Sequence, residues 1–103
     1  MDGVFVKYQF GEITDALKED LKSLVEKNLQ EKMSAYLAPI FEKEGAEIHL
    51  EYKIDKTANS RYSGIFSMAI DGQTLRYERE DFVKPDDLVN HAFDHFKESL
   101  AQK

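Results

Sequence analysis

The apolar residues of this chain change their spacing at Ala46, and that change constrains most what it can fold into. From Ile13 they recur at steps of three and four: Leu17, Leu21, Leu24, Val25, Leu29, Met33, Tyr36 and Leu37. An amphipathic helix has this period. From Ala46 the step becomes two, with Ala46, Ile48, Leu50, Tyr52 and Ile54 facing one way and Glu47, His49, Glu51, Lys53 and Asp55 the other. That alternation predicts a half-buried strand.

The flanks complete the pattern. Residues 3–10, GVFVKYQF, set Val4, Val6, Tyr8 and Phe10 against Phe5, Lys7 and Gln9, as a strand does. Thr14 is placed to cap the helix, and Asp15 sits where the helix dipole favours an acid. Pro39 is expected to kink or end that helix near Ala38, and Gly45 to close the segment. The polar stretch DKTANSRYSG reads as a loop or mobile hairpin end. In FSMAIDGQTLRY, Asp71-Gly72 is a type I′ hairpin signal. It sets Ile70 opposite Gln73, Met68 opposite Leu75, Phe66 opposite Tyr77 and Ser67 opposite Arg76. EREDFVKPDD reads as an acidic connection. Pro85, Asp86 and Asp87 open a last helix whose buried stripe is Val89, Ala92, Phe93, Phe96 and Leu100.

The expectation is an α+β domain of order β-α-β-β-β-α: a four-stranded sheet with two helices packed on one face, like a double-stranded-RNA-binding domain. At 103 residues, 42% of them hydrophobic, the chain suits one domain over 1–103 with a single modest core. No apolar run approaches the roughly 20 residues of a membrane span, and the N-terminus lacks the order of a signal peptide. The absence of Cys excludes disulfides and thiolate sites, and a cytoplasmic setting is expected. The net charge of −6 argues against wholesale phosphate binding but not against a local basic patch.

Several segments, in order, resemble the ribosome hibernation-promoting factors, a family also known as sigma-54 modulation, ribosome-associated inhibitor or ribosomal subunit interface proteins. Glu12-Ile13-Thr14-Asp15-Ala16-Leu17-Lys18 is similar to the family's opening helix, and Lys32-Met33-Ser34-Ala35-Tyr36-Leu37 to its later Lys-Leu-x-x-Tyr segment. EIHLEYKIDK is similar to the second strand and FSMAIDGQTLRY to the glycine-turn pair. Residues 89–96 follow the apolar spacing of the last helix. The resemblance implies a short-form factor that binds ribosomal RNA of the small subunit near the decoding region, silences idle ribosomes under stress, and uses no cofactor. Lys18, Lys32, Lys53 and Lys56 align with the family's basic positions, and Arg61 lies in the same loop as Lys56; these are the expected RNA contacts. The chain departs from the family in a first helix about two turns longer, in KPDDLV before the last helix, and in His95, Glu98 and Gln102 where Lys or Arg is usual.

Other readings of the same residues stand beside this one. Lys18 and Lys22 interleave with Glu19, Asp20 and Glu26, the ordinary composition of a solvated helix face. His91 and His95, four apart among Asp87, Asp94 and Glu98, are weak metal candidates, since a two-His clip without a third ligand more often just faces solvent. Most of the aromatics fall on apolar stripes and belong to the core; Phe5, sharing its face with Lys7 and Gln9, is the exception. No glycine-rich phosphate loop, nucleophile elbow or HExxH occurs, which argues against an enzyme. An acidic protein-interaction module with a basic protein partner is the competing reading, with a monomer or weak edge-strand dimer in either case.

Overall fold

The computed structural model describes residues 3–70 and 72–101. Strand β1 (Val4–Gly11) leads into helix α1 (Asp15–Asn28), which runs through a π-helical turn (Leu29–Met33) into α2 (Ser34–Phe41). Strands β2 (Ile48–Thr57), β3 (Arg61–Ile70) and β4 (Gln73–Phe82) follow, then helix α3 (Pro85–Ala101). With α1, the π turn and α2 forming one helical run, the order is the expected β-α-β-β-β-α.

The sheet order is β1-β2-β3-β4, with β1 parallel to β2 and the other pairs antiparallel. Even-numbered residues of β2 and β3 point to the helices: Ile48, Leu50, Tyr52, Ile54, Phe66, Met68 and Ile70 are buried. Against them pack Leu21, Val25, Leu29, Met33 and Leu37 from the first helical run and Leu88, Val89, Ala92, Phe93 and Phe96 from α3. The odd-numbered face carries the polar residues and is left open.

One register row crosses the whole inner face: Tyr8 pairs with Tyr52, Tyr52 with Phe66, and Phe66 with Tyr77. The ring centroids lie 5.9, 5.5 and 6.4 Å apart, within the range where aromatic pairs attract beyond their area burial. A cation closes each end, Lys22 Nζ 4.4 Å above the Tyr8 ring and the Arg79 guanidinium 4.8 Å above Tyr77.

The long helix obeys an unusual constraint. Its buried residues Leu21, Val25, Leu29, Met33 and Leu37 are each four apart. In an α-helix of 3.6 residues per turn, every such step overshoots by roughly 40°, so Leu37 would drift far off the core side. The π turn at Leu29–Met33 takes more residues per turn and brings Met33 and Leu37 back to the sheet.

Thr14 caps α1 as expected, its Oγ1 accepting from the Leu17 N–H at 3.3 Å. The hairpin register from Ile70 opposite Gln73 to Phe66 opposite Tyr77 is also as expected. Gly72 takes a positive φ of 79°, while Asp71 lies outside the described residues.

Three expectations need correction. Pro39 does not end the helix at Ala38; α2 continues to Phe41. Ala35, whose carbonyl Pro39 leaves unpaired, and Pro39 itself are both exposed, so water can take the lost bond. Of the two readings of DKTANSRYSG, the structure shows the hairpin end and not the loop: β2 and β3 stay paired through Thr57 opposite Arg61 around a three-residue turn, Ala58–Ser60. Asn59 and Ser60 adopt left-handed φ values of 67° and 57°, and the Thr57 hydroxyl donates to the Arg61 carbonyl at 3.1 Å. Finally, the first half of EREDFVKPDD is strand, not connection, while Pro85, Asp86 and Asp87 open α3 as expected. Glu78 to Phe82 extend β4, with an irregularity between Tyr62 and Gly64 and a positive φ of 62° at Asp81. A bulge lets a polar, twisted segment remain paired.

Gly64 is buried beneath α3, and a Cβ there would lie 2.7 Å from Leu88 Cδ2 and 3.2 Å from Phe66 Cε1. Gly64→Ala is therefore expected to cost about 1–3 kcal/mol of unfolding free energy, as overpacking does. In a Leu88→Ala background the same change should cost less, a coupling that a double-mutant cycle in urea reads directly.

Tyr52 provides a second test. Burial, aided by Tyr8 and Glu26, pushes its phenol up from 10.0 to about 12. The fold holds the neutral form, so this contribution is whole below pH 10 and is lost as pH rises from 10 to about 12. Wild type should lose up to about 2–3 kcal/mol over that window relative to Tyr52→Phe, which has no phenol to titrate; denaturation series at stepped pH check it.

Candidate nucleic-acid interface

The four cations implied by the resemblance, with Arg61 beside them, come from three parts of the fold, and the structure brings some of them together. Lys53, Lys56 and Arg61 all lie on the β2–β3 hairpin near its tip. The pairing of Lys56 with Tyr62 and Thr57 with Arg61 fixes their placement. Side-chain alternation puts Lys56 on the helix side of the ribbon and Lys53 and Arg61 on the open side. Asp55, 3.6 Å from Lys53, is the one acid between positions 53 and 61, so three cations against one acid leave this tip at +2 in a chain of net −6. Lys56 and Arg61 are exposed, and their side chains pair with none of the described residues.

Lys18 lies on α1, one turn after the Thr14 cap, and meets Asp15 at 3.6 Å. Because β1 ends beside Asp55 and α1 begins four residues later, Lys18 belongs to the hairpin end of the molecule, on the helix side with Lys56. An exposed pair of this kind is worth little and leaves Lys18 open to an exchange of partners.

Lys32 is differently placed. It lies in the π turn, where its Nζ meets Asp94 Oδ1 at 2.8 Å and donates to the Asn90 carbonyl at 3.4 Å. One turn earlier, buried Asn28 donates from Nδ2 to the Leu24 carbonyl at 2.9 Å and to Asn90 Oδ1 at 3.0 Å. These contacts tie the first helical run to α3. Lys32 is thus committed within the fold and stands apart from the hairpin cations. The Asn28–Asn90 pair was not anticipated from the sequence. The available signal was an amide on the apolar stripe between Val25 and Leu29, because a buried amide needs hydrogen-bond partners.

Two further cations were not expected. Lys22 lies over Tyr8 and meets Glu19 at 3.3 Å; the Tyr8 side chain first, then Glu19, hold its ammonium above the usual lysine value against desolvation. Lys7, on the open face, forms one row with Glu51, Ser67 and Arg76. That row and its neighbours line a shallow depression of about 490 Å³ with Gln9, Lys53 and Ile65. Its charges alternate: Arg76 meets Glu78 at 3.0 Å and Lys53 meets Asp55. A face of alternating sign has no net attraction for a phosphate chain.

His91 and His95 are exposed on α3 and rest on aromatic rings rather than on each other. The His91 ring meets Phe82 at 5.6 Å, and that of His95 meets Tyr77 at 5.5 Å. Among the described residues no group of three His, Cys, Asp or Glu is placed to hold a metal ion. Of the positions where the family tends to carry Lys or Arg, His95 and Glu98 are exposed on α3, and Gln102 lies outside the described residues. Among the described residues no helix is long and apolar enough to cross a membrane.

No protein-family model matches the chain, and no curated protein matches it. Solved structures do. The N-terminal domain of Protein Y from Thermus thermophilus superposes with a TM-score of 0.59 at 19% identity, over 95% of this chain and 97% of that one. A ribosomal subunit interface protein from Coxiella burnetii superposes with a TM-score of 0.59 at 17% identity, over 95% of this chain and 94% of that one. Both neighbours are hibernation-promoting factor family members, and at these identities what the chain shares with them is the fold.

Proposed function

We propose that this domain is a ribosome-associated factor that binds small-subunit ribosomal RNA near the decoding region and keeps idle ribosomes from translating. The observation that carries the reading is the likeness of fold over nearly the full length of both chains, to a protein named for the ribosomal subunit interface. The ordered motifs from Glu12 to Phe96 support it from the sequence alone. The role is one of binding rather than catalysis, exercised in the cytoplasm, and needs only a rigid fold and cations at phosphate spacing.

The β2–β3 hairpin tip supplies those cations. Lys53, Lys56 and Arg61 present charge on both sides of the ribbon, where phosphate oxygens could meet them, and Lys18 adds to the helix side. Lys32 acts through its bond to α3 and contributes to the helix packing.

A second reading has its own support. The exposed acids Asp86, Asp87 and Glu98, beside Asp94 whose charge Lys32 offsets, make α3 an acidic face, which suits a basic protein partner. Co-sedimentation with ribosomes and isolated small subunits separates the two. Wild type should pellet stoichiometrically at low salt, in competition with messenger or transfer RNA. The triple change Lys53→Glu, Lys56→Glu, Arg61→Glu should weaken pelleting by at least about tenfold and cut the salt slope by roughly 2, while thermal unfolding stays nearly unchanged. Equal pelleting by the triple variant overturns the hairpin surface; no pelleting of wild type at low salt overturns the ribosomal reading.

A further inference from the structure

The two edges of the sheet are built differently. At β4, Arg76, Glu78, Arg79, Glu80 and Asp81 crowd the strand, and an irregularity interrupts its pairing. Charge and bulging are the usual ways to keep an edge from pairing with another chain. At β1 neither device is present in strength. Its eight residues are paired with β2 without interruption, contain no proline and no acid, and carry one charge, Lys7.

That edge also exposes apolar side chains on both faces. The helices cover β2 and β3 but stop short of β1, leaving Val6 38% and Tyr8 49% exposed on the inner side. On the open side Phe5 is 49% exposed, stacked on His49 with centroids 5.1 Å apart. Three of the four exposed large hydrophobic residues among those described therefore sit consecutively or alternately on one edge strand.

The backbone is available as well. The Ile48 N–H donates to the Gly3 carbonyl at 2.9 Å, so the odd-numbered residues of β1 turn their polar groups toward β2. In a parallel ladder the alternate residues face the other way. Val4, Val6, Tyr8 and Phe10 thus present their N–H and C=O groups to the open edge.

We propose that β1 pairs with β1 of a second copy of this chain, antiparallel about a two-fold axis, to give a continuous eight-stranded sheet. The strand is complementary to itself when centred on Val6: Val6 faces Val6 of the second copy, Val4 faces Tyr8, and Phe5 faces Lys7. In that register each exposed apolar side chain gains a cross-strand neighbour, and Lys7 lies by an aromatic ring. Centring on Lys7 would instead set two ammonium groups directly opposite, which is destabilising. The acids that give each copy its charge of −6 lie off this strand, so the pairing brings none of them face to face at the seam.

Sedimentation equilibrium from micromolar to submillimolar concentration tests the proposal. Wild type should pass from monomer to dimer, and amide exchange should slow with concentration at Val4, Val6, Tyr8 and Phe10 but not at Phe5, Lys7 and Gln9, which β2 already protects. Val6→Pro removes an N–H that the fold itself does not use, and Val6→Lys places a charge at the centre of the seam. Each should weaken association by at least about tenfold while the folded monomer persists. If Val6→Pro fails to fold, Val6→Lys decides. A wild type that stays monomeric throughout, or a dimer that Val6→Lys leaves intact, overturns the proposal.

Discussion

The cross-strand row Tyr8–Tyr52–Phe66–Tyr77 is the constraint on which the rest of the structure depends. Each member belongs to a different strand, so the row can form in a single register only, and a slip of one residue would turn a ring out to solvent. The hairpin turn at Gly72 and the parallel pairing of β1 both agree with that register. The helices then have a defined surface to cover, with Phe93 of α3 set edge-on to Phe66 at 6.5 Å. Tyr77 is held above the usual phenol range by its burial, the expected consequence of placing a ring of this kind under a helix. Only at Tyr8 does the row run out from under cover, and there Lys22 takes the place of a packed side chain.

The first helical run shows how a packing problem becomes a distribution of charge. Apolar residues four apart cannot remain on one side of a straight α-helix, and the π turn that restores them also rotates Lys32 toward α3. Its bond to Asp94, together with the Asn28–Asn90 contact, joins the two helical layers above the sheet. A cation that aligned with an RNA-binding position is thereby engaged by Asp94 and the Asn90 carbonyl. Positive charge is left concentrated at the β2–β3 hairpin, the part of the sheet that reaches beyond the helices.

That division bears on what the molecule does. The helix side near α3 is acidic, the open face of the sheet alternates in sign, and the hairpin tip is positive. A chain of net negative charge can bind a phosphate backbone only where such a local surplus exists, because screening confines each charge to about 10 Å. The apolar edge at β1 lies across the sheet from the charged β4 edge.

The sequence by itself determined the element order, the helix cap at Thr14, the β3–β4 register and most of the core, because each rests on local periodicity or on one turn. It missed where a local signal was outweighed. Pro39 continued its helix because its missing bond faced water, and the polar residues around Lys56 and Arg61 stayed paired because the ladder on either side held them. The basic residues of the candidate site were legible one by one, through the resemblance. Their grouping was not, since whether a lysine meets an acid 62 positions away, as Lys32 meets Asp94, follows from how helices pack on a sheet. The same is true of β1: its alternation marks a strand, but only the offset of the helices decided that Val6 and Tyr8 would be left in the open.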